Sequence, residues 1–347
     1  MAEGTRLLTL LQISDLHFAA IDPATGDPVQ NAAAIALWAN SSRFDGILGH
    51  HRRGLQHLHR FYWDLVAKGE EPRLLVTGDV TSFGHGDQFD SANDYLVSQV
   101  DLNPPQCNYV GLHVNDWRDY AIPGNHDTFP GLPVIVGPST AAFGAYFPQL
   151  PLVCPPIPLP TGQTVIIAGV NSDADVSAWG KKRLLARGSF CSQLGALIQV
   201  LNPLTAEEIR VLLVHHSWHH QGFSLRMDTG SRQALAELLV DENFKVILTG
   251  HTHQGVMEIF EPRLDSTHQV LEARSGTTVQ IDSVPLNWRT LFGRRPKKNL
   301  PKNTLIVHRL YDTGSQIVWH CVGYVRTRSG FCKIQAKTAE RSLAVWP

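Results

Sequence analysis

Short runs rich in valine, isoleucine and leucine recur along the chain, and they predict strands that are buried on both faces. These runs cover residues 7–13, 73–77, 164–170, 210–214 and 244–249. The first run leads directly into Ser14, Asp15 and His17, so we expect a buried strand there rather than a signal peptide.

Helical patterns separate several of these strands. Between the first two, apolar residues recur at spacings of three and four, namely Leu48, Leu55, Leu58, Tyr62 and Leu65. Shorter patterns predict helices at 88–100, 190–200 and 231–240, the last with Ser231 as its N-cap. Strands that alternate with helices indicate an α/β sheet.

The chain changes character after His253. Strand-like segments at 256–260, 268–273, 304–311 and 316–325 follow one another and are separated by turns. This arrangement predicts a second, largely antiparallel sheet.

Composition sets broad limits on the class of protein. The 347 residues, of which 43% are hydrophobic, allow one large α/β domain or two smaller ones. The 30 basic and 31 acidic residues give a formal charge of -1, which argues against attraction to nucleic acid or to an anionic membrane. A nuclease is less favoured for the same reason, and no long basic stripe with interleaved aromatic residues is present.

Two further features concern the compartment. No run of eighteen apolar residues occurs, so the sequence does not predict a membrane-spanning helix. The five cysteines are an odd number without a CxxC pair, which favours free thiols in a reducing cytoplasm. The sequence gives no sign of an oligomeric state.

Side chains that can bind metals follow five strand ends. In an open α/β sheet, ligands bind beyond the carboxyl ends of the strands, so we expect these groups to meet. The five segments are Asp15-Leu16-His17, Gly78-Asp79, Gly124-Asn125-His126-Asp127, His215-His216 and Gly250-His251-Thr252-His253.

The spacing and residue types suit a metal centre. Residues two apart on an extended segment point to the same side, so an Asp-x-His or His-x-His pair can hold one ion. Gly78 lets the backbone approach closely, so that Asp79 can reach between two ions. Imidazole nitrogens combined with carboxylate and amide oxygens favour Mn, Fe, Zn, Co or Ni.

Taken in order, these motifs resemble those of the calcineurin-like metallophosphoesterase superfamily. The pattern D-x-H, G-D-x-x-x-x-G, G-N-H-D, a later His and G-H-x-H is complete between residues 15 and 253. The strands after it are similar, more loosely, to those of the class III cyclic nucleotide phosphodiesterases. The resemblance implies a four-layer α/β/β/α sandwich, in which two mixed sheets are flanked by helices. It also implies one domain over residues 1–347, with 256–347 contributing mainly strands of the second sheet.

The resemblance assigns the candidate ligands of two divalent metal ions. One ion would be bound by Asp15, His17, Asp79 and His253, and the other by Asp79, Asn125, His215 and His251. The cyclic nucleotide branch usually has prolines where this chain reads His215-His216-Ser217-Trp218-His219-His220, so the choice between His215 and His216 stays open. His219 and His220 could lie behind the site or on the surface.

Two residues of the third motif are candidate catalytic groups. His126 would face the substrate without binding metal and could protonate the leaving alkoxide. Asp127 would either orient His126 or cap the turn. By contrast, His50, His51, His57 and His59 are predicted to lie on a solvated helix face.

These expectations define a dimetal phosphoesterase acting on a small phosphorylated substrate. Hydrolysis of phosphodiesters such as cyclic nucleotides, by attack of a metal-activated hydroxide, is the leading hypothesis. The alternatives are a phosphomonoesterase, a nucleotide pyrophosphohydrolase and a non-catalytic metal-binding scaffold. The complete ligand set argues against the scaffold, and the insert at 87–117 is a candidate lid.

Overall fold

The computed structural model describes residues 4–29, 49–128, 140–177, 185–223, 225–264, 266–279, 303–336 and 339–346. The helices are α1 (Arg52–Ala67), α2 (Gly86–Val97), α3 (Asn125–Thr128), α4 (Thr140–Tyr146), α5 (Cys191–Val200) and α6 (Thr229–Asp241). The first ten strands are β1 (Thr5–Ile13), β2 (Arg73–Thr77), β3 (Val100–Asp101), β4 (Tyr109–Val110), β5 (Ala121–Ile122), β6 (Leu152–Val153), β7 (Ile157–Pro158), β8 (Thr164–Val170), β9 (Glu208–Val214) and β10 (Phe244–Thr249). The others are β11 (Val256–Phe260), β12 (Val270–Arg274), β13 (Thr304–Asp312), β14 (Ile317–Arg326), β15 (Phe331–Lys333) and β16 (Glu340–Trp346). Of the predicted helical positions, Leu48 lies outside the described residues.

Two mixed sheets of seven strands each form the centre of the fold. The first has the order β15-β14-β13-β1-β2-β5, with β16 also pairing with β14. Strands β1, β2 and β5 are parallel, whereas β13 runs antiparallel to β1. The second sheet has the order β11-β12-β10-β9-β8-β6, with β7 also pairing with β8, and its central four strands are parallel. Within each sheet, the carboxyl ends of the parallel strands therefore lie at the same edge.

The C-terminal strands are divided between the two sheets. Strands β11 and β12 extend the sheet of β8 to β10, and β12 runs parallel to β10. Strands β13 to β16 instead complete the sheet that begins with β1. This differs from the expectation of a separate, largely antiparallel sheet, because alternation along a strand does not determine which edge the strand joins.

Three clusters of buried side chains separate four layers, which confirms the predicted fold class. Leu11 on β1 packs with Leu55 of α1 on the outer face of the first sheet. Its neighbour Leu10 points to the opposite face and joins a cluster between the two sheets. In the second sheet, Leu212 packs with Leu239 of α6 on the outer face. The strands of both sheets are apolar on both faces because each sheet is covered on both sides.

Helix α6 begins two residues before the predicted N-cap. Asp228 is the N-cap, and its Oδ1 accepts a hydrogen bond of 2.7 Å from the Ser231 backbone N–H. Ser231 therefore lies in the first turn, and the prediction that it caps the helix is wrong. Its Oγ accepts from the Phe190 backbone N–H at 2.8 Å, which joins α6 to the start of α5.

The histidines around α1 do not form a solvated face, so that prediction is wrong. His50 is fully buried, His57 is 7% exposed, and His51 and His59 are partly buried. The His50 ring packs against Phe18, and its Nδ1 accepts from the Ala19 backbone N–H at 3.3 Å. These residues belong to the packing of α1 on the first sheet.

The insert at 87–117 is part of the core. Phe89, Tyr95 and Trp117 are fully buried in the cluster between α1, α2 and the first sheet. The Tyr95 hydroxyl donates to the Leu55 carbonyl at 2.8 Å. This packing does not agree with a role as a lid.

Among the described residues, the helices are either too short or too polar to span a lipid bilayer.

Candidate metal centre

The five predicted strand ends meet where the two sheets face each other. The Asp15 carboxylate, after β1, accepts a hydrogen bond of 3.0 Å from the His251 backbone N–H, after β10. The His215 Nδ1, after β9, donates to the carbonyl of Thr77 at the end of β2 at 2.8 Å. Each bond joins one sheet to the other, so ligand candidates from both sheets form one site.

Asp79 lies in the middle of this site. Its Oδ2 is 3.2 Å from His215 Nε2 on one side and 3.8 Å from His17 Nε2 on the other. Its Oδ1 accepts from the His126 backbone N–H at 2.8 Å. This is the position that a carboxylate shared by two ions needs.

The candidate ligands form overlapping groups in which the ligand atoms lie within 4.8 Å of one another. One group contains Asp15, His17 and His253, with His253 Nε2 at 3.3 Å from Asp15 Oδ1. A second contains Asp79, His215 and His251, with His251 Nδ1 at 3.2 Å from His215 Nε2. His17 and Asp79 also form a group with His126.

The backbone at the site is left-handed rather than extended. Asp15, His17, Asp79, His251 and His253 have φ angles of 50°, 48°, 51°, 69° and 55°. Such angles cost an L-residue roughly 1–2 kcal/mol each and cluster at functional sites. The argument from side-chain alternation is therefore wrong in its geometry. Asp15 and His17 do share a group, whereas His251 and His253 lie in different ones.

Two glycines are required by close contacts at the site. A Cβ atom at Gly78, where φ is +97°, would lie 2.3 Å from His215 Nδ1. A Cβ atom at Gly124 would lie 2.2 Å from Asp79 Oδ1. Both glycines allow backbone to pass directly beside a candidate ligand.

Charge at the site is set by burial and by the carboxylates. Burial favours the neutral form of His215, but the Asp79 and Asp15 carboxylates and the hydrogen bond to the Thr77 carbonyl together outweigh it and raise the pKa of His215 to about 10. Burial, together with His126, lowers the pKa of His17 to about 3. For Asp79, burial favours the neutral form, but His215, His126 and His17 together outweigh it and hold the pKa well below its usual value. A ligating imidazole must be neutral, so an ion at His215 would displace its proton and bind more tightly as pH rises.

Several polar atoms in the site are buried without a hydrogen-bond partner among the described residues. They are Asp15 Oδ1, both ring nitrogens of His17 and Asn125 Oδ1. An unsatisfied buried polar atom costs about 1–3 kcal/mol, and these four atoms belong to three predicted ligands in one small region. Nitrogen and oxygen donors in this mixture suit a first-row divalent ion. The residues present therefore fit a metal centre.

His126 is held by the backbone around it. Its Nδ1 lies 2.9 Å from the Ser82 carbonyl and donates to it, which leaves Nε2 as the second ring nitrogen for a proton. The ring contacts His17 edge to face at a centroid distance of 4.6 Å, and it is partly exposed. These contacts allow a role toward the substrate.

Asp127 organises the loops instead of orienting His126. Its carboxylate is fully buried and accepts from the backbone N–H groups of Val80, Thr81 and Gly124 at 3.1, 2.8 and 3.0 Å. Burial, with the Asp79 carboxylate adding to it, raises the pKa of Asp127 to about 6. Of the two expected roles, the cap of the turn agrees with these contacts. A catalytic role for Asp127 stays a prediction.

His215, and not His216, belongs to a group of candidate ligands. His216 Nδ1 lies 2.7 Å from Ser172 Oγ, and its ring packs on His251 with a centroid distance of 4.1 Å. The Ala186 carbonyl accepts from His251 Nε2 at 3.0 Å and from His216 Nε2 at 3.2 Å. His216 is thus packed behind a ligand candidate.

Sequence reasoning missed Ser172 and Ala186. Ser172 lies in the polar segment directly after β8, and this position at a strand end was the available signal. Ala186 acts through its carbonyl, for which residue type gives no signal. His219 pairs with the buried Glu272 carboxylate and lies 3.2 Å from Glu258 Oε2, so it belongs to a separate polar network.

We expect divalent metal to stabilise the folded protein. An ion that binds only the folded state at about 100 times its Kd adds about 2.7 kcal/mol to the free energy of unfolding. Thermal denaturation with and without Mn²⁺ should therefore show a higher Tm with the ion, and Asp79→Ala should lose most of the increase. An equal increase in both proteins would place the binding elsewhere.

Comparison with known families agrees with the fold. The family model of the calcineurin-like phosphoesterases matches residues 8–255, which include every candidate ligand. The chain belongs to the calcineurin-like phosphoesterase family. No curated protein matches the chain significantly.

Similar solved structures are remote in sequence. GAP50, the anchor in the inner membrane complex of Plasmodium, is 10% identical, with 98% of this chain and 89% of that chain covered and a TM-score of 0.47. Vps29 complexed with Zn²⁺ from Entamoeba histolytica is 10% identical, with 97% of this chain and 99% of that chain covered and a TM-score of 0.32. A predicted phosphoesterase from Streptococcus pneumoniae is 8% identical, with 98% of this chain and 99% of that chain covered and a TM-score of 0.30.

Proposed function

We propose that the protein is a dimetal phosphoesterase that hydrolyses phosphodiesters, with cyclic nucleotides as the leading substrate class. The observation that carries this proposal is the convergence of candidate ligands from both sheets on Asp79, where buried atoms of Asp15, His17 and Asn125 have no hydrogen-bond partner among the described residues. One ion would be held by Asp15, His17, Asp79 and His253, and the other by Asp79, Asn125, His215 and His251. When bound, two divalent ions supply an activated hydroxide and neutralise charge on the phosphate oxygens.

The chain's own residues contribute position and protons. Asp79 is fixed by the His126 backbone N–H, and Asp15 by the His251 backbone N–H and the Ser14 hydroxyl, at 2.8, 3.0 and 2.6 Å. Asn125 is a neutral donor, which keeps the negative charge of the site low enough for an anionic substrate. His126 Nε2 can give a proton to the leaving alkoxide, because Nδ1 is already committed to the Ser82 carbonyl.

The preference for a diester rests on charge. The strongest electrostatic influences on Asp15, Asp79 and His215 come from histidines and carboxylates. A dianionic monoester gains more from a bidentate arginine or a lysine than a singly charged diester does. A site composed of histidines, carboxylates and an amide therefore favours the diester.

A substrate panel tests this preference. We expect kcat/KM for bis-p-nitrophenyl phosphate to exceed that for p-nitrophenyl phosphate in the same metal, with cyclic AMP also hydrolysed. The assay uses Mn, Zn, Ni and Mg in turn, with Asp79→Ala as the background. A clear preference for the monoester would replace the diesterase with a phosphomonoesterase, and metal binding without turnover of any substrate would favour a scaffold.

We also propose a cytoplasmic location. All five cysteines are free, and Cys107, Cys191 and Cys332 are exposed. Free, exposed thiols are typical of a reducing compartment.

A further inference from the structure

A continuous chain of polar side chains crosses the otherwise apolar space between the two sheets. It consists of Trp319 on β14, His308 on β13 and Gln12 on β1, each of them fully buried. Trp319 Nε1 donates to His308 Nδ1 at 3.0 Å, and His308 Nε2 lies 3.1 Å from Gln12 Oε1. None of the three is a candidate metal ligand.

The chemistry of the three side chains determines which group donates and which accepts in each hydrogen bond. An indole N–H can only donate, so His308 Nδ1 must accept and the proton of the neutral ring must be on Nε2. His308 Nε2 then donates to Gln12 Oε1. The amide oxygen of Gln12 is thereby directed toward His308, and its NH₂ group is directed away from it.

The Gln12 NH₂ group reaches the second sheet. Gln12 Nε2 lies 2.9 Å from the Thr249 carbonyl at the end of β10 and 3.3 Å from the Ala273 carbonyl on β12. It also lies 3.3 Å from Thr77 Oγ1 in its own sheet. Gln12 therefore joins β1 directly to two strands of the opposite sheet.

These links lie close to candidate ligands from both sides. Gln12 precedes Asp15 by three residues, and Thr249 precedes His251 by two. The first sheet presents Asp15, His17, Asp79 and Asn125, whereas the second presents His215, His251 and His253. Apolar packing between the sheets is non-directional and does not by itself fix how one sheet is placed along the other. A hydrogen bond is directional, so one that joins the two sheets does fix this placement.

We propose that Gln12 is a positioning residue. Through its hydrogen bond to the Thr249 carbonyl, it fixes the position of the second-sheet ligands relative to the first-sheet ligands. This inference rests on the proposed metal centre. It assigns to the Trp319–His308–Gln12 chain an effect on metal affinity that is separate from its contribution to folding.

The test compares metal affinity with folding stability in matched variants. Gln12→Met keeps the length of the side chain and removes the amide. Leu10→Ala, two residues away on the same face of β1, creates a cavity in the same cluster and leaves the polar chain intact. Isothermal titration with Mn²⁺ alone gives the Kd, and urea denaturation without metal gives the stability.

We expect Gln12→Met to weaken Mn²⁺ binding by about 10-fold or more, the lower end of the effect of residues that orient ligands. Leu10→Ala should lose stability and keep its affinity within about 2-fold. Trp319→Phe, which removes the donor to His308 together with part of the indole ring, should weaken binding by less than Gln12→Met does and remains informative if Gln12→Met does not fold.

Three results would contradict the inference. Wild-type affinity in Gln12→Met would overturn it, as would unchanged affinity in Trp319→Phe. An equal loss of affinity in Leu10→Ala would show general loosening of the core. If the wild-type protein binds no Mn²⁺, the proposed metal centre fails as well, so the two failures are distinguishable.

Discussion

Asp79→Ala is expected to remove most of the bound metal and to abolish phosphoesterase activity. Asp79 Oδ2 lies between His215 and His17, which belong to different ligand groups, so its loss affects both ions. Asn125→Ala should chiefly weaken one site, because Asn125 is proposed to bind a single ion. Metal analysis of the purified proteins measures both effects.

The Asp79 carboxylate also accepts a hydrogen bond from the His126 backbone N–H. Asp79→Ala therefore removes a contact of the loop that contains His126, and this effect needs a control. Asp79→Asn keeps an oxygen that can accept this hydrogen bond but removes the negative charge. Metal loss in both variants would assign the effect to the charge. Two equivalents of metal still bound to Asp79→Ala would contradict the bridging role.

His126→Ala is expected to keep its metal and to lose about 10²- to 10⁴-fold in kcat, the usual scale of acid catalysis. The loss should be smaller for substrates that release p-nitrophenolate, since this leaving group needs no proton. Parallel measurements of kcat on p-nitrophenyl and alkyl esters, with metal content determined for each preparation, test the prediction.

His126→Gln is the matched control for the space that the ring occupies. Glutamine can donate a hydrogen bond toward the Ser82 carbonyl and cannot transfer a proton at neutral pH. It should therefore be as inactive on alkyl esters as His126→Ala. Because His126 also lies in a group with His17 and Asp79, loss of one equivalent of metal would instead make it a ligand.

The strands and the members of the site could be predicted because their signals are local. A strand buried on both faces, such as β2 or β10, needs a short apolar run, and its carboxyl end lies at a defined edge of the sheet. Asp79 and His251 follow such runs directly, so their convergence follows from chain order and parallel pairing.

Non-local features could not be predicted in the same way. The pairing of β13 with β1 joins residues about 300 positions apart, as in Gln12 with Ile306, and no local pattern encodes it. The charged neighbours of His50 predict a solvated side chain, yet the ring packs against Phe18 and is buried. The role of Asp127 depends on three backbone N–H groups from two loops, and residue type alone does not indicate them.

The position of β1 between β2 and β13 has a consequence for biosynthesis. A ribosome makes β1 and β2 long before β13, the antiparallel neighbour of β1, which begins at Thr304. Until that segment emerges, the strand that presents Asp15 and His17 has an open edge, and such edges recruit other chains. The strand that presents the candidate ligands Asp15 and His17 therefore belongs to an incomplete sheet until β13 has been made.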